Sequence, residues 1–478
     1  MSNYTVGVGG DFATIAAALK AVKPGDVVDI LPGVYKDALK VTTPNTTWRA
    51  AIYDNRPVLD GSYSHEWAKK SGTSWRDLVY RSPAGGASGN VVIVAADGVT
   101  IDGLIIRNSG GAGISAGAVD GLTVRNCTIE FCYDTCIVVN GAAGGDATNI
   151  VIEDNICRWS SVKKFDPDRK SGGSPQAVSG NIKVTGRDII VRGNVVSNGH
   201  GEGINIGKDA FNVKVIGNVV YDTAHLAIYV NRGADVDVEN NVVFFTGDPA
   251  YIWTDGDAPC GMGLRDEGTK KGNWITSRNV RFVNNTIVNA GYSFLLNPEK
   301  PTPGLVVSGN TFVAGPLTRK GINLLNAAGS VFADNVIAAP DGLLVVGTPS
   351  GAECRRNRWS SEPPAPWRGP GDEYGRLGLK APGVMPTAEH EPFGLGIRYE
   401  IDLANYRRDD APEPPDPPID PPIDPPPPEP EPGRDDIVRG VLAQQGELLE
   451  TAGAAITAAR ANVQYLIQLM NENQGDIS

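Results

Sequence analysis

Between residues 183 and 266 the chain gathers the side chains best suited to proton transfer and to holding a charged ligand. His200, Glu202, Asn205 and Lys208 fall within the single run HGEGINIGK, and His225, Tyr229, Arg232 and Arg265 follow in the next two segments. Histidine titrates near neutral pH. A lysine held close to a second cation has its pKa lowered, which is how an amine becomes a base near neutrality. Lys208 and Arg232 are the candidates for that pairing, with His225 and Tyr229 as further candidate catalytic groups. Lys183, His200, Glu202, Asn205 and Arg265 are candidate substrate-binding groups around them. Asp222 lies in a neighbouring turn.

These residues are far apart in sequence, so something must stack them. The stretch 189–241 reads as superimposed lines: IIVRGNVV over VKVIGNVV over VDVENNVV, and GEGINIGK over HLAIYVNR. Asn194, Asn218 and Asn241 recur 24 and 23 residues apart. A period in the low twenties with short alternating apolar runs and a recurrent turn residue is a solenoid pattern. Extending the alignment puts Leu104, Cys127, Asn155, Asn194, Asn218, Asn241, Asn285, Asn310, Asn335 and Asn357 in one column. Asparagine suits it by tolerating a left-handed bend and by bonding the equivalent Asn above and below. The strands after the next turn align as GNIKVTG, EGINIGK, LAIYVNR and CGMGLRD. One outward column then contains Lys183, Asn205, Tyr229 and Gly263; another contains Gly186, Lys208, Arg232 and Asp266. With windings about 4.8 Å apart, Lys208 and Arg232 become neighbours.

The remainder of the chain extends or ends this coil. Asp11 is placed to cap a helix whose face is Phe12, Ile15, Leu19 and Val22, stopped by Pro24-Gly25. Two or three irregular windings precede residue 96 and carry SYSHEWAKKSGTSWRDLVY, an aromatic excursion that could stack on sugar rings but is expected rather to pack on the body. Two insertions, SSVKKFDPDRKSGGSPQ and TGDPAYIWTDGDAPCGMGLRDEGTKKGNW, bracket the polar windings and are expected to wall a cleft there. Residues 361–410 are read as the far end cap and 411–433 as a polyproline II spacer. In 434–478, Leu442, Leu449, Ile456, Val463 and Met470 repeat every seven residues, a coiled-coil seam expected to self-associate, as a trimer, or to dock on a partner. The net charge of -12 leaves no basic face for nucleic acid. No apolar run is long enough for a bilayer and the start lacks a leader pattern, so no membrane is expected as a partner. The six cysteines lack zinc-like spacing and are read as buried packing residues.

The opening TIAAALKAVKPGDVVDILPGVY and the windings after it resemble phage tailspikes and pectate-lyase-like proteins over residues 5–360. The resemblance implies an all-β fold: a right-handed single-stranded parallel β-helix over 27–360, with an N-terminal capping helix in 1–26. The polyproline linker and C-terminal α-helix complete the expected architecture. The polar windings resemble the alginate-lyase and chondroitinase B family, in which Glu-x-Ile-x-x-x-Lys is followed one winding later by Arg-Gly. The matching residues are Glu202, Ile204 and Lys208, then Arg232 and Gly233. The resemblance implies a lysine that abstracts the C5 proton beside a uronate carboxylate, an arginine that assists the leaving group, and calcium (Ca2+) on acidic side chains. The histidine the family carries after its Arg-Gly is absent, since Ala234 follows, and no acidic trio is visible. NGHGEGI resembles polygalacturonase-type hydrolases, without the paired aspartates hydrolysis requires.

A tailspike-like body with a stiff spacer and an associating helix points to a bacteriophage virion appendage: a spike, fibre or head-decoration protein. Its β-helix would meet bacterial surface polysaccharide, and residues 434–478 would join it to other virion proteins. The rivals are a non-virion polysaccharide lyase acting by β-elimination and a purely structural decoration protein.

Overall fold

The computed structural model describes residues 2–62, 89–140, 147–161, 180–207, 209–247, 259–267, 276–298, 300–339 and 345–375, and the backbone of strands Glu66–Lys69 and Leu78–Arg81. The chain divides into two units, Met1–Tyr406 and Arg407–Ser478, and all described residues belong to the first. The end cap from residue 376 onward, the spacer and the heptad segment lie outside the described residues, as do most of the two insertions.

Among the described residues three long parallel sheets, of 13, 13 and 11 strands, run the length of the body. Sheet A contains Thr100–Asp102, Arg187–Arg192 and Phe211–Ile216; sheet B contains Thr128–Cys132, Val195–Gly199 and Val219–Thr223; sheet C contains Ile182–Thr185, Ile204–Ile206, Leu226–Asn231 and Cys260–Arg265. Each winding gives one strand to A, one to B and one to C, so each strand pairs with the equivalent strand of the winding before and after. The result is a parallel β-helix. The alternating Val/Ile residues turn inward, and from Val6 to Trp367 they form one continuous core. Towards the C-terminal end the filling changes from β-branched to aromatic, with Phe282, Phe294, Phe312, Phe332, Trp359 and Trp367 in a run of ring contacts. Sheet B continues beyond residue 360, through Glu373–Tyr374 pairing with Arg358–Trp359. The aromatic excursion contributes an antiparallel hairpin, Glu66–Lys69 with Leu78–Arg81.

The asparagine column occupies the corner from sheet A to sheet B and differs from expectation in one respect. The left-handed residues are those just before it: Asn126, Asp154, Gly193, Gly217, Asn240, Asn284, Gly309, Asp334 and Arg356. That residue makes the turn. The Asn that follows points inward and forms a ladder. Asn194, Asn218 and Asn241 each use Nδ2 to donate to the Oδ1 of the next asparagine at 2.9–3.0 Å, and that same Oδ1 accepts from the backbone N–H beside it at 2.9–3.0 Å. Each Nδ2 also donates to a backbone carbonyl, Ile152, Val191 and Val215 respectively. A buried amide with every donor and acceptor used is stabilising, whereas an unused one costs free energy.

The N-terminal helix is Ile15–Ala21, and Thr14 caps it by accepting from Ala17 N. The expected cap, Asp11, lies too early. Its carboxylate is taken by the Thr5 N–H and hydroxyl at 2.8 and 2.9 Å, which hold it below the ordinary carboxylate range. Ile15 and Ala18 join the core, with Phe12 and Leu19 packed against it.

Candidate functional site on sheet C

The outward row of sheet C has the expected register: Lys183 pairs with Asn205, Asn205 with Tyr229, Tyr229 with Gly263, and Gly263 with Leu295. Inward neighbours such as Ile204, Ile206, Ile228 and Val230 belong to the core. Tyr229 instead joins a separate outward cluster with Leu226 and Cys260, against which Tyr292 and Leu295 pack. Gly263 makes that cluster possible. A Cβ there would meet Leu226 Cδ2 at 2.7 Å and the Leu295 carbonyl at 2.9 Å.

Glu202 precedes the strand Ile204–Ile206 and turns its carboxylate to this face. It accepts from Asn205 Nδ2 in a short hydrogen bond and lies 3.6 Å from His225 Nδ1. Glu202 is almost fully buried while the His225 side chain is 27% exposed, so the imidazole is the accessible member of the pair. Tyr229 is 2% exposed. Burial, with the charges of Glu267 and Glu202 adding to it, pushes its hydroxyl far above the ordinary tyrosine value. Asn205 Oδ1 is buried with no hydrogen-bond partner among the described residues, while the Tyr229 hydroxyl is turned to Glu267.

Along the next row Asn231 pairs with Arg265. Asn231 Nδ2 donates to Glu267 Oε2 at 3.2 Å, and Arg265 Nη1 lies 3.3 Å from Glu267 Oε1. Arg232 takes a left-handed φ of 59° and is 1% exposed, with Nη2 4.0 Å from Asp209 Oδ2. The windings do lie side by side here, because Asp209 N donates to the Arg232 carbonyl at 3.0 Å. Lys208 itself lies outside the described residues. His200 is buried in the turn before Glu202, its N–H bonded to the Ser160 carbonyl at 3.1 Å. Asp222 serves the fold: left-handed itself, it accepts from Thr246 N and Oγ1 at 2.9 and 2.8 Å.

The structure thus brings together Glu202, His225 and Asn205, aligns Lys183 and Tyr229 with them, and sets Arg265 on the neighbouring row. Sequence reasoning missed Glu267, Asn231 and Asp209. Asn231 was readable as the row adjoining Tyr229, in register with Arg265; Asp209 and Glu267 follow their strands, where no period applies. Chemically, the imidazole–carboxylate pair can accept or return a proton, and Asn205 Oδ1 can accept from a hydroxyl. The calcium implied by the lyase resemblance does not fit the described residues. Among them no group of three or more His, Cys, Asp or Glu side chains is arranged to hold a metal. Asp266 is turned to Ser277, whose Oγ donates to it at 2.6 Å. No helix of the described residues is long and apolar enough to cross a membrane.

The family described as right handed beta helix region matches residues 89–260. The fold is therefore a right-handed parallel β-helix, as the pectate-lyase-like resemblance implied. No curated protein matches the chain. Solved structures similar to it include an alginate lyase from Paenibacillus sp. str. FPU-7, at 16% identity and a TM-score of 0.44, covering 72% of this chain and 98% of that one. The PL6 family alginate lyase AlyGC is 14% identical with a TM-score of 0.47, covering 84% of this chain and 57% of that one. PfbA, a surface adhesin of Streptococcus pneumoniae, is 11% identical with a TM-score of 0.45, covering 76% of this chain and 86% of that one.

Proposed function

We propose that the outer face of sheet C binds a bacterial surface polysaccharide and that the protein does so as an appendage of a bacteriophage virion. The observation that carries the binding site is Asn205 Oδ1, buried without a hydrogen-bond partner among the described residues, beside the Glu202–His225 pair. A buried polar atom without a partner costs about 1–3 kcal/mol, and such atoms in a native fold call for a ligand or water. A sugar hydroxyl supplies both donor and acceptor. Lys183, on the same row, and Arg265, on the adjoining one, suit a glycan that carries carboxylates. The virion role is supported by the polyproline spacer and the heptads of residues 434–478, which a free enzyme has little use for.

Cleavage by β-elimination is a second reading, favoured by the half-buried imidazole held 3.6 Å from a buried carboxylate. Such a pair is suited to general acid–base work. The test is an array of bacterial surface polysaccharides and uronate polymers probed with the full chain. Retention on an acidic glycan, weakened by Asn205→Ala and Glu202→Gln, is expected. Absorbance growing at about 235 nm marks the C4–C5 unsaturated uronate of a lyase. Failure to bind any polysaccharide removes this reading and leaves a structural decoration protein.

A further inference from the structure

The corner from sheet B to sheet C carries a second column of left-handed residues: Asn108, Phe131, Trp159, Asn198, Asp222 and Asn289. Four of the six are Asn or Asp, the residue types that enter this region at low cost. Phe131 and Trp159, with φ of 54° and 52°, are not. A bulky side chain in this region is an outlier, and strain of this kind collects at binding sites. The two occupy successive windings, since Glu130 pairs with Arg158 immediately before them and Cys132 N donates to the Trp159 carbonyl at 3.1 Å. Their rings stack at 4.6 Å between centroids and 16° between planes. The Arg158 guanidinium lies 4.4 Å from the Trp159 ring centre and is fixed by Glu130, to which Nε donates at 2.8 Å. Both residues are partly exposed.

A second parallel pair among the described residues, Tyr221 and Phe244, needs no such explanation. Those residues are cross-strand partners in ordinary strand conformation, and Phe244 packs on Val288 and Val313. Strand pairing does not call for aromatic rings at a left-handed corner, and an asparagine would turn the chain there more easily. The pair therefore stands out from the rest of its column. It occupies the two windings before the Asn198–Glu202 turn, on the approach to sheet C.

We propose that Phe131 and Trp159 form a stacking platform for a pyranose ring, extending the glycan site of sheet C toward the N-terminal windings. The apolar C–H face of a sugar packs on an aromatic ring, and the Arg158 guanidinium over Trp159 adds a positive charge to the platform. This inference rests on the glycan-binding reading of sheet C and adds to it a subsite that recognises ring shape.

The test uses Phe131→Asn, Trp159→Asn and the double variant, full chain, on the same array of bacterial surface polysaccharides and uronate polymers. Asparagine is what neighbouring windings carry at this position, so thermal midpoints equal to or above the parent's are expected. Affinity for the glycan that the parent protein binds should fall about three- to tenfold per ring, and adding that glycan should quench less fluorescence in Trp159→Asn than in the parent. If the parent binds a glycan and the double variant binds it equally well, the platform is overturned while the sheet C reading stands. If the variants lose thermal stability and keep their affinity, the rings serve packing alone and the proposal also falls. If the parent binds nothing on the array, both readings fail together.

Discussion

Asn218 shows how much one side chain can carry when its position repeats. Its Oδ1 accepts from Asn194 N and Nδ2, and its Nδ2 donates to the Val191 carbonyl and to Asn241 Oδ1. Asn218→Ala leaves several of these buried groups unpaired, and a loss of ~2–4 kcal/mol in chemical unfolding is expected. Asn218→Asp removes the donors and buries a charge. It should cost at least as much near neutral pH and recover partly in acid, where the protonated carboxyl donates again; a loss independent of pH would contradict the ladder. The buried thiols give a second prediction. Burial pushes Cys127 up to about 12 and Cys132 and Cys136 well above the ordinary thiol value. A folded-state pKa above the unfolded one contributes stability that is fully present below about pH 8.5 and is lost as pH rises. These three thiols should resist alkylation at pH about 8 until the chain unfolds, which peptide mapping by mass spectrometry would read directly.

At the scale of the sheets, charge alternates from winding to winding. On sheet A the row reads Asp29, Arg49, Asp102, Arg125, Glu153 and Arg192 in register. On sheet B it reads Asp60, Arg107, Glu130 and Arg158. A strand paired with the wrong winding would set like charges together, so the rows oppose mispairing of nearly identical repeats. Arg125 Nε donates to Asp102 Oδ2 at 2.8 Å, and Asp102 is buried. Arg125→Glu puts three acids in succession and should cost ~1–3 kcal/mol, part of it recovered at high salt. No salt dependence would argue against an electrostatic origin. Asp60 adds a pH test. Burial alone would raise its pKa, but hydrogen bonds from Ser62 N, Asn108 and Arg107 outweigh it and hold the group below the ordinary value. Its contribution is therefore present above about pH 3.9 and lost as pH falls through the folded-state value. Asp60→Asn should lose less stability than the parent between about pH 6 and about pH 3, measured by denaturant midpoint.

For the whole molecule, each described winding pairs with the windings before and after it, so the β-helix should fold without the C-terminal segment. A chain ending at Tyr406 is expected to keep the thermal midpoint and the β-sheet circular dichroism of the full protein. Light scattering should give a trimer for the full chain and a monomer for the shortened one; equal masses would remove residues 407–478 as the associating element. The solenoid, its winding length and the Lys183–Asn205–Tyr229 row were legible in the sequence by itself, because in a coil the repeat length is the spatial neighbour relation. Matching equivalent residues is then enough to predict contact. Periodicity did not distinguish the bend-making residue from the asparagine after it, since both recur together and only backbone dihedrals separate them. Nor did it show the Glu202–His225 contact, the burial of Arg232 and Tyr229, or the ring pair of Phe131 and Trp159. Those depend on side-chain direction at corners, where the alternation of a strand stops and the tertiary path of the chain decides which atoms meet.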